Sequence, residues 1–236
     1  MISVCMATYN GEKYIKKQIN SILKQINKND ELIISDDGST DKTKSILQSY
    51  AEKYPNIRII EGPQKGVIKN FENALNNSKG DMIFLSDQDD IWLDNKVKNV
   101  LKEFDKGFDL VLHDAIIVDK NENMIEESFF YHRKSKKGFL NNTIKNSYIG
   151  CCMAFSRNVL NYALPFPDSI EMHDWWIGLI AERVGKVSLL NDKLLLYRRH
   201  GNNVSSFRHY PLKKMISNRV YILFKLILRL KKVKKC

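Results

Sequence analysis

Short apolar runs alternate with helical patterns through the first 112 residues, and few architectures accept that alternation. Strands are predicted at 2–7, 31–35, 57–61, 82–86 and 109–112, with helices near 12–25, 43–54, 67–77 and 95–104. The first helix carries Tyr14, Ile15, Ile19, Ile22, Leu23 and Ile26 on one stripe. Strand–helix repetition of this kind predicts an α/β fold with a mostly parallel sheet of right-handed units. Such sheets bind ligands outside the carboxyl ends of their strands. Beyond residue 113 the alternation breaks down. A hairpin is expected over 114–124 and a buried strand over 150–155. A helix should run from Met172 to Val184 with Gly185 as its C-terminal cap, followed by a strand over 194–197. No repeat or low-complexity linker interrupts the pattern, so 1–205 reads as one domain and 206–236 as a tail.

Composition narrows the setting. The chain has 236 residues, 43% of them hydrophobic, which suits a soluble globule with an ample core. Met1-Ile2-Ser3-Val4 leads straight into a strand, so no cleaved leader is expected. The four cysteines, Cys5, Cys151, Cys152 and Cys236, lack metal-site spacing and fit a reducing cytoplasm. The net charge of +11 is uneven. Residues 211–236 hold nine Lys or Arg and no acid, whereas the rest has 29 basic against 27 acidic side chains.

Polar groups gather at the predicted strand ends. The first strand leads into Thr8-Tyr9-Asn10-Gly11, the second into Asp36-Asp37-Gly38-Ser39-Thr40-Asp41, and the fourth into Asp87-Gln88-Asp89-Asp90-Ile91-Trp92. Three carboxylates within four residues raise one another's pKa unless a cation sits among them. A divalent metal with oxygen ligands is therefore expected between Asp87 and Asp89. A solvated acidic turn is the plain alternative for an isolated Asp-x-Asp. Gly38, Ser39 and Thr40 are explained as turn and cap residues, but two adjacent aspartates are not. Asp37 is taken as a contact for a base N–H or ribose hydroxyl, with Asp36 structural. Gly66-x-x-Lys69-Asn70 opens a helix whose N-terminus suits an anionic ligand. Asp174 can be a helix cap, or a general base lifted in pKa among His173, Trp175 and Trp176, whose rings, with Trp92, would form a sugar pocket. The Arg198-Arg199-His200 cluster can face diphosphate oxygens or supply a metal nitrogen.

These pieces together resemble the bacterial family 2 glycosyltransferases. The matching segments are Ile2-Ser3-Val4-x-Met6-Ala7-Thr8-Tyr9-Asn10, Ser35 to Asp41, Gly66 with Asn70, Ser86 to Trp92 with Lys96, Gly150 to Met153, His173 to Trp176, and Tyr197-Arg198-x-His200-x-Asn202-Asn203. The Asp-Gln-Asp-Asp-Ile-Trp form is similar to a rhamnosyltransferase-like branch of surface-polysaccharide synthesis. The resemblance implies a GT-A fold, a Rossmann-like sheet with helices on both faces. It implies a nucleotide-binding half over 1–112 and an acceptor and catalytic half over 113–205. It further implies an inverting hexosyl transfer from a UDP- or dTDP-sugar to a glycan or lipid-linked glycan. Thr8, Tyr9, Asn10, Asp37, Lys69, Asn70 and Asp87 would then hold the nucleotide. Asp87, Asp89 and His200 would hold Mn²⁺ or Mg²⁺, and Asp174 would be the base.

In the tail, Lys214, Asn218, Lys225, Arg229 and Lys232 fall on one side of a basic amphipathic helix, and Met215, Val220, Ile222, Leu223, Leu226, Ile227 and Leu230 on the other. An anionic membrane surface is the expected partner, at the inner face of the cell membrane. Docking on the domain and an oligomer contact are the alternatives. No stacking platform supports nucleic acid. Two other activities compete. A nucleotidyltransferase would need a Gly-rich basic loop after the first strand, which Thr8-Tyr9-Asn10-Gly11-Glu12 is not. A non-catalytic sugar-nucleotide-binding protein would not need Asp174.

Overall fold

A computed structural model describes residues 1–201 and 211–233. Its strands are β1 (Ile2–Thr8), β2 (Glu31–Asp36), β3 (Ile57–Glu61), β4 (Met82–Asp87), β5 (Ile91–Trp92), β6 (Leu110–Val118), β7 (Met124–Glu126), β8 (Met153–Ser156) and β9 (Val187–Arg198). The helices are α1 (Ile15–Leu23), α2 (Thr43–Lys53), α3 (Val67–Asn76), α4 (Lys96–Asp105), α5 (Phe129–Arg133), α6 (Phe139–Ile144), α7 (Arg157–Ala163), α8 (His173–Val184) and α9 (Leu212–Val233).

The described strands form one sheet in the order β3-β2-β1-β4-β8-β6-β9-β5, with β7 beside β6. From β3 to β4 every pairing is parallel, as the alternation predicts. β1 and β2 are buried along their whole length, which is why they read as apolar runs without alternation. The register sets Thr8 opposite Asp36 and Ala7 opposite Asp87, so three strand ends finish level. Beyond β4 the sheet is mixed. β8 runs antiparallel to both β4 and β6, while β9 returns parallel to β6. The expected strand over 150–155 is a 3-10 turn at Gly150–Cys152 leading into β8. Because Phe84 pairs with Ala154 in antiparallel sense, the residues just before Met153 reach the end of β4. β9 is longer than the expected 194–197, and it carries Arg198 to that same edge, opposite Val118.

Gly185 ends α8, but not by left-handed geometry. Its φ of −153° is extended backbone. Glycine is needed there for space, since a Cβ would lie 2.6 Å from the Asp109 carboxylate.

The tail helix packs on the domain. Ile222 and Leu226 are both 2% exposed. Arg219 bonds the carbonyl of Ile144, Asn218 bonds Glu171, and Arg229 bonds the carbonyls of Tyr162 and Leu164 at 2.7 and 2.8 Å. Arg219 also lies over the Trp175 ring and Arg229 over Trp176. Asn218 and Arg229, expected on a solvated polar side, are thus docking groups. A second apolar stripe, with Ile216, Val220, Phe224 and Ile227, stays exposed. Asn202, Asn203, residues 206–210 of the tail, and Lys234 and Lys235 lie outside the described residues. Leu226→Ala should cost about 2–4 kcal/mol in chemical denaturation. A cost near zero would show that α9 does not dock.

Candidate active site

The ends of β1 and β2 are knitted together before any ligand is considered. Asp36 accepts bonds from the Thr8 hydroxyl at 3.0 Å and from the Ser39 N–H at 3.0 Å, which gives it the structural role expected. The Asp37 carboxylate accepts the N–H groups of Gln64 at 2.6 Å and Gly66 at 2.8 Å, fixing the loop that opens α3. Tyr9 and Gln88 exchange bonds in both directions at 2.9 and 3.0 Å, which ties the β1 and β4 loops together. The Asn10 side-chain oxygen Oδ1 accepts the Thr40 N–H at 2.9 Å. Tyr9 itself remains 56% exposed at this edge.

One expected nucleotide contact is corrected, and a second is paired within its own helix. Asn70 is 2% exposed, and its amide donates to the carbonyls of Thr8 and Ser35, so it pins two strand ends rather than a ligand. The Lys69 ammonium bonds Glu72 at 2.7 Å, one helical turn along, with Asp168 at 3.8 Å. The Glu72 bond also holds its pKa above the usual lysine value.

The acidic corner forms where β4, the Gly150–Cys152 turn and β9 meet. Ligand atoms of Asp87, Asp90 and Cys151 lie within 4.8 Å of one another. Asp89 is turned to His200, whose Nε2 is 2.7 Å from its carboxylate. The His200 ring stacks on Tyr14 at 5.0 Å. Asp90 is 1% exposed; one oxygen accepts the Arg198 N–H at 2.9 Å, and the other has no partner. Arg198, expected among groups facing a diphosphate, is itself buried. It donates from Nε to the Asp89 carbonyl at 2.8 Å and reaches Glu122 at 3.2 Å. It is a clamp on the acidic loop. Beneath lies Lys96, fully buried, donating to the Cys151 carbonyl at 2.8 Å and sitting 4.2 Å from the Trp92 ring centre. Burial, then Asp89 and Asp174, push Asp87 up to about 7, and burial draws Lys96 down to about 8. Cys151, its thiol pushed up by burial, was not singled out by sequence reasoning. A cysteine beside a glycine carries no such signal.

Asp174 opens α8 beside this corner. It is 6% exposed and accepts the N–H groups of Gly150 at 3.1 Å and Trp175 at 2.5 Å. Burial pushes its carboxyl up to about 7, where those bonds and Arg133 only partly offset it. The aromatic pocket is corrected. Trp92, Trp175 and Trp176 are 3%, 3% and 0% exposed, and the indoles of Trp175 and Trp176 bond carbonyls of Asn142 and Ala163. These rings are walls of the core, since large aromatic surface is worth most when buried. His173 is likewise buried, stacked on Phe71 at 4.2 Å, with neither ring nitrogen bonded.

The donor set fits a hard divalent cation. The Asp87 and Asp90 carboxylates, with one Asp90 oxygen unpartnered, are oxygen ligands such an ion takes up, while the Cys151 thiol of the same cluster is not. A carboxyl raised by burial stabilises the fold below its ordinary pKa and loses that contribution as pH climbs to about 7. Asp174→Asn should therefore gain on wild type by roughly 1–3 kcal/mol between about pH 5 and pH 8, read by urea denaturation at each pH. A pH-independent difference would place the Asp174 carboxyl in a solvated setting.

Comparison with known proteins places this geometry. Residues 3–163 match the model of glycosyl transferase family 2. The chain is 31% identical over 220 residues to the dTDP-rhamnosyl transferase RfbG of Shigella flexneri, covering 84% of this chain and 72% of the relative. It is 26% identical over 219 residues to WfgD of Escherichia coli, a UDP-Glc:alpha-D-GlcNAc-diphosphoundecaprenol beta-1,3-glucosyltransferase, covering 91% and 83%. The fold superposes on S. aureus TarS 1–349 in complex with UDP-GlcNAc with a TM-score of 0.74 at 22% identity, over 97% of this chain. The chain spans 66% of that TarS chain, and 66% of an uncharacterized glycosyltransferase from Nostoc to which it is 27% identical. With the family model covering well over half of its residues, this chain belongs to glycosyl transferase family 2, and its mixed sheet is the GT-A fold.

Proposed function

We propose that the chain moves a sugar, with inversion, from a UDP- or dTDP-sugar to a hydroxyl of a lipid-linked glycan during surface-polysaccharide assembly. The observation that carries this reading is the buried Asp174 carboxyl, held near 7 beside an acidic corner that feels its charge. A base with that pKa is half-ionised near neutrality, which suits removal of a proton from an alcohol during attack. Asp174 is fixed by the Gly150 and Trp175 N–H groups, so its orientation is set before the acceptor arrives. Residues 1–112 present Tyr9, Asn10 and Asp37 to the nucleotide, with Thr8 buried behind them and bonded to Asp36, and 113–205 bring the base and acceptor. Asp87, which clusters with Asp90, and Asp89, which is turned to His200, are the residues that would hold Mn²⁺ or Mg²⁺. When bound there, the cation supplies charge neutralisation for the departing diphosphate. Attack from the face opposite that leaving group inverts the anomeric centre.

The relatives support the choice of substrates: one is named for dTDP-rhamnosyl transfer, another for a diphosphoundecaprenol acceptor. A mannosyltransferase of the same fold was solved with GDP-Man and Mn²⁺. We further propose that α9 lies on the anionic inner face of the cell membrane. Its exposed stripe of Ile216, Val220, Phe224 and Ile227 is flanked by Lys213 and Lys231, which suits shallow insertion among acidic headgroups. No described helix is long and apolar enough to cross a membrane.

Asp174→Asn should lower transfer by about 10²–10⁴-fold while nucleoside-diphosphate affinity by calorimetry changes little. In the wild type the rate should rise with pH through about 7 as Asp174 loses its proton. Wild-type turnover by the Asn variant would remove Asp174 from the chemistry. Phe224→Asp with Ile227→Asp should cut co-sedimentation with phosphatidylglycerol vesicles by roughly tenfold or more, the worth of burying one large side chain. Unchanged co-sedimentation would leave α9 as a docking helix alone.

A further inference from the structure

The catalytic half keeps one strongly exposed aromatic ring next to a concave surface. Tyr131 on α5 is 84% exposed, whereas the three tryptophans expected to receive a sugar are buried. Beside it is a shallow groove of about 480 Å³ lined by Glu126, Phe130, Tyr131, His132 and Lys134. That size falls within the ~300–1,000 Å³ range of small-molecule sites. An accessible aromatic face, a carboxylate and an imidazole form a set that pyranoses bind well. The ring meets the sugar's C–H face, and the polar groups exchange hydrogen bonds with its hydroxyls. Glu126 and His132 are already 3.4 Å apart, so two such groups converge on one side of the groove.

The groove is anchored to the sheet rather than carried on a loose loop. Asp114, 3% exposed on β6, accepts the Ser128 hydroxyl at 2.6 Å and the Phe130 N–H at 2.8 Å. Ser128 caps α5 by accepting the Tyr131 N–H at 3.0 Å. Phe129 packs edge-on against Tyr197 at 6.0 Å, one residue before the Arg198 clamp of the acidic corner. Arg133, the last residue of the same helix, bonds the Asn146 carbonyl at 3.1 Å and lies close enough to Asp174 for its charge to be felt there. The groove and the base therefore flank the same five-residue helix.

We infer that this groove is an acceptor subsite, in which a pyranose ring of the acceptor glycan stacks on Tyr131 with its hydroxyls against Glu126 and His132. The inference rests on the transferase reading for the word acceptor, and on the groove alone for sugar binding. The test is saturation-transfer NMR on the full chain, with UDP and diamagnetic Mg²⁺ present to fill the donor pocket. The probes are the methyl glycosides of glucose, N-acetylglucosamine, galactose and rhamnose. At least one should draw ring-proton saturation from wild type. That signal should fall roughly three- to tenfold in Tyr131→Ala and persist in Tyr131→Phe, which keeps the ring. An equal signal in Tyr131→Ala, or none from any glycoside, overturns the subsite. Donor hydrolysis, measured in parallel, needs no acceptor sugar. If wild type binds a glycoside through Tyr131 but never hydrolyses a donor, the transferase reading fails and the sugar site stands. If hydrolysis proceeds and Tyr131 proves irrelevant, only the subsite falls.

Discussion

Carboxylates at the end of β4 are held together against their own repulsion, and the site depends on that. Two ionised groups at the 4.8 Å limit of the Asp87–Asp90–Cys151 cluster oppose each other by about 3–4 kcal/mol at an effective dielectric of 20. The fold answers this from two directions. Arg198 grips the loop from β9, through its own N–H to Asp90 and its guanidinium to the Asp89 carbonyl. Lys96 supplies a buried positive charge from α4, close enough that Asp87 and Asp90 in turn favour its protonated form. A corner built this way keeps residual repulsion of the kind that a cation would relieve.

The parallel half was legible because β1 and β2 are buried along their whole length, β4 over most of it, and helices of clear period alternate with the strands, so local pattern and global placement agree. Gly150–Ser156 shows why the second half was not. Its apolar residues announce burial, but nothing local says that the strand inserts antiparallel between β4 and β6, a pairing decided by residues some 70 and 40 positions earlier. That insertion is what delivers Cys151 to the acidic corner and Gly150 to Asp174.

Site residues divided along similar lines. Asp87, Asp89, His200 and Asp174 stood out in the sequence because charge at the end of an apolar segment has few structural uses, and the fold brings Asp87 beside Asp90 and Asp89 beside His200. Trp175 and Trp176 were misplaced because composition cannot say whether an aromatic pair lines a pocket or fills a core; only their bonded indoles decide it. Arg198 looked like an anion ligand for the same reason, as the fork that suits a diphosphate equally suits backbone carbonyls. The tail takes the docking alternative: Ile222 and Leu226 fasten it to the domain, while Phe224 and Ile227 face outward on the same helix. Its arginines rest on the two tryptophans that follow Asp174, so the tail helix also backs the start of α8.

The central claim is that Asp87 carries the cation which secures the nucleotide's diphosphate. Calorimetric titration of UDP and dTDP, each with and without Mn²⁺, tests it most directly when wild type is set against Asp87→Asn. The account predicts that Mn²⁺ tightens at least one nucleotide by about tenfold or more in wild type and has almost no effect in the variant, a difference of ~1.4 kcal/mol. Equal tightening in both proteins, or none in wild type with either nucleotide, would contradict it.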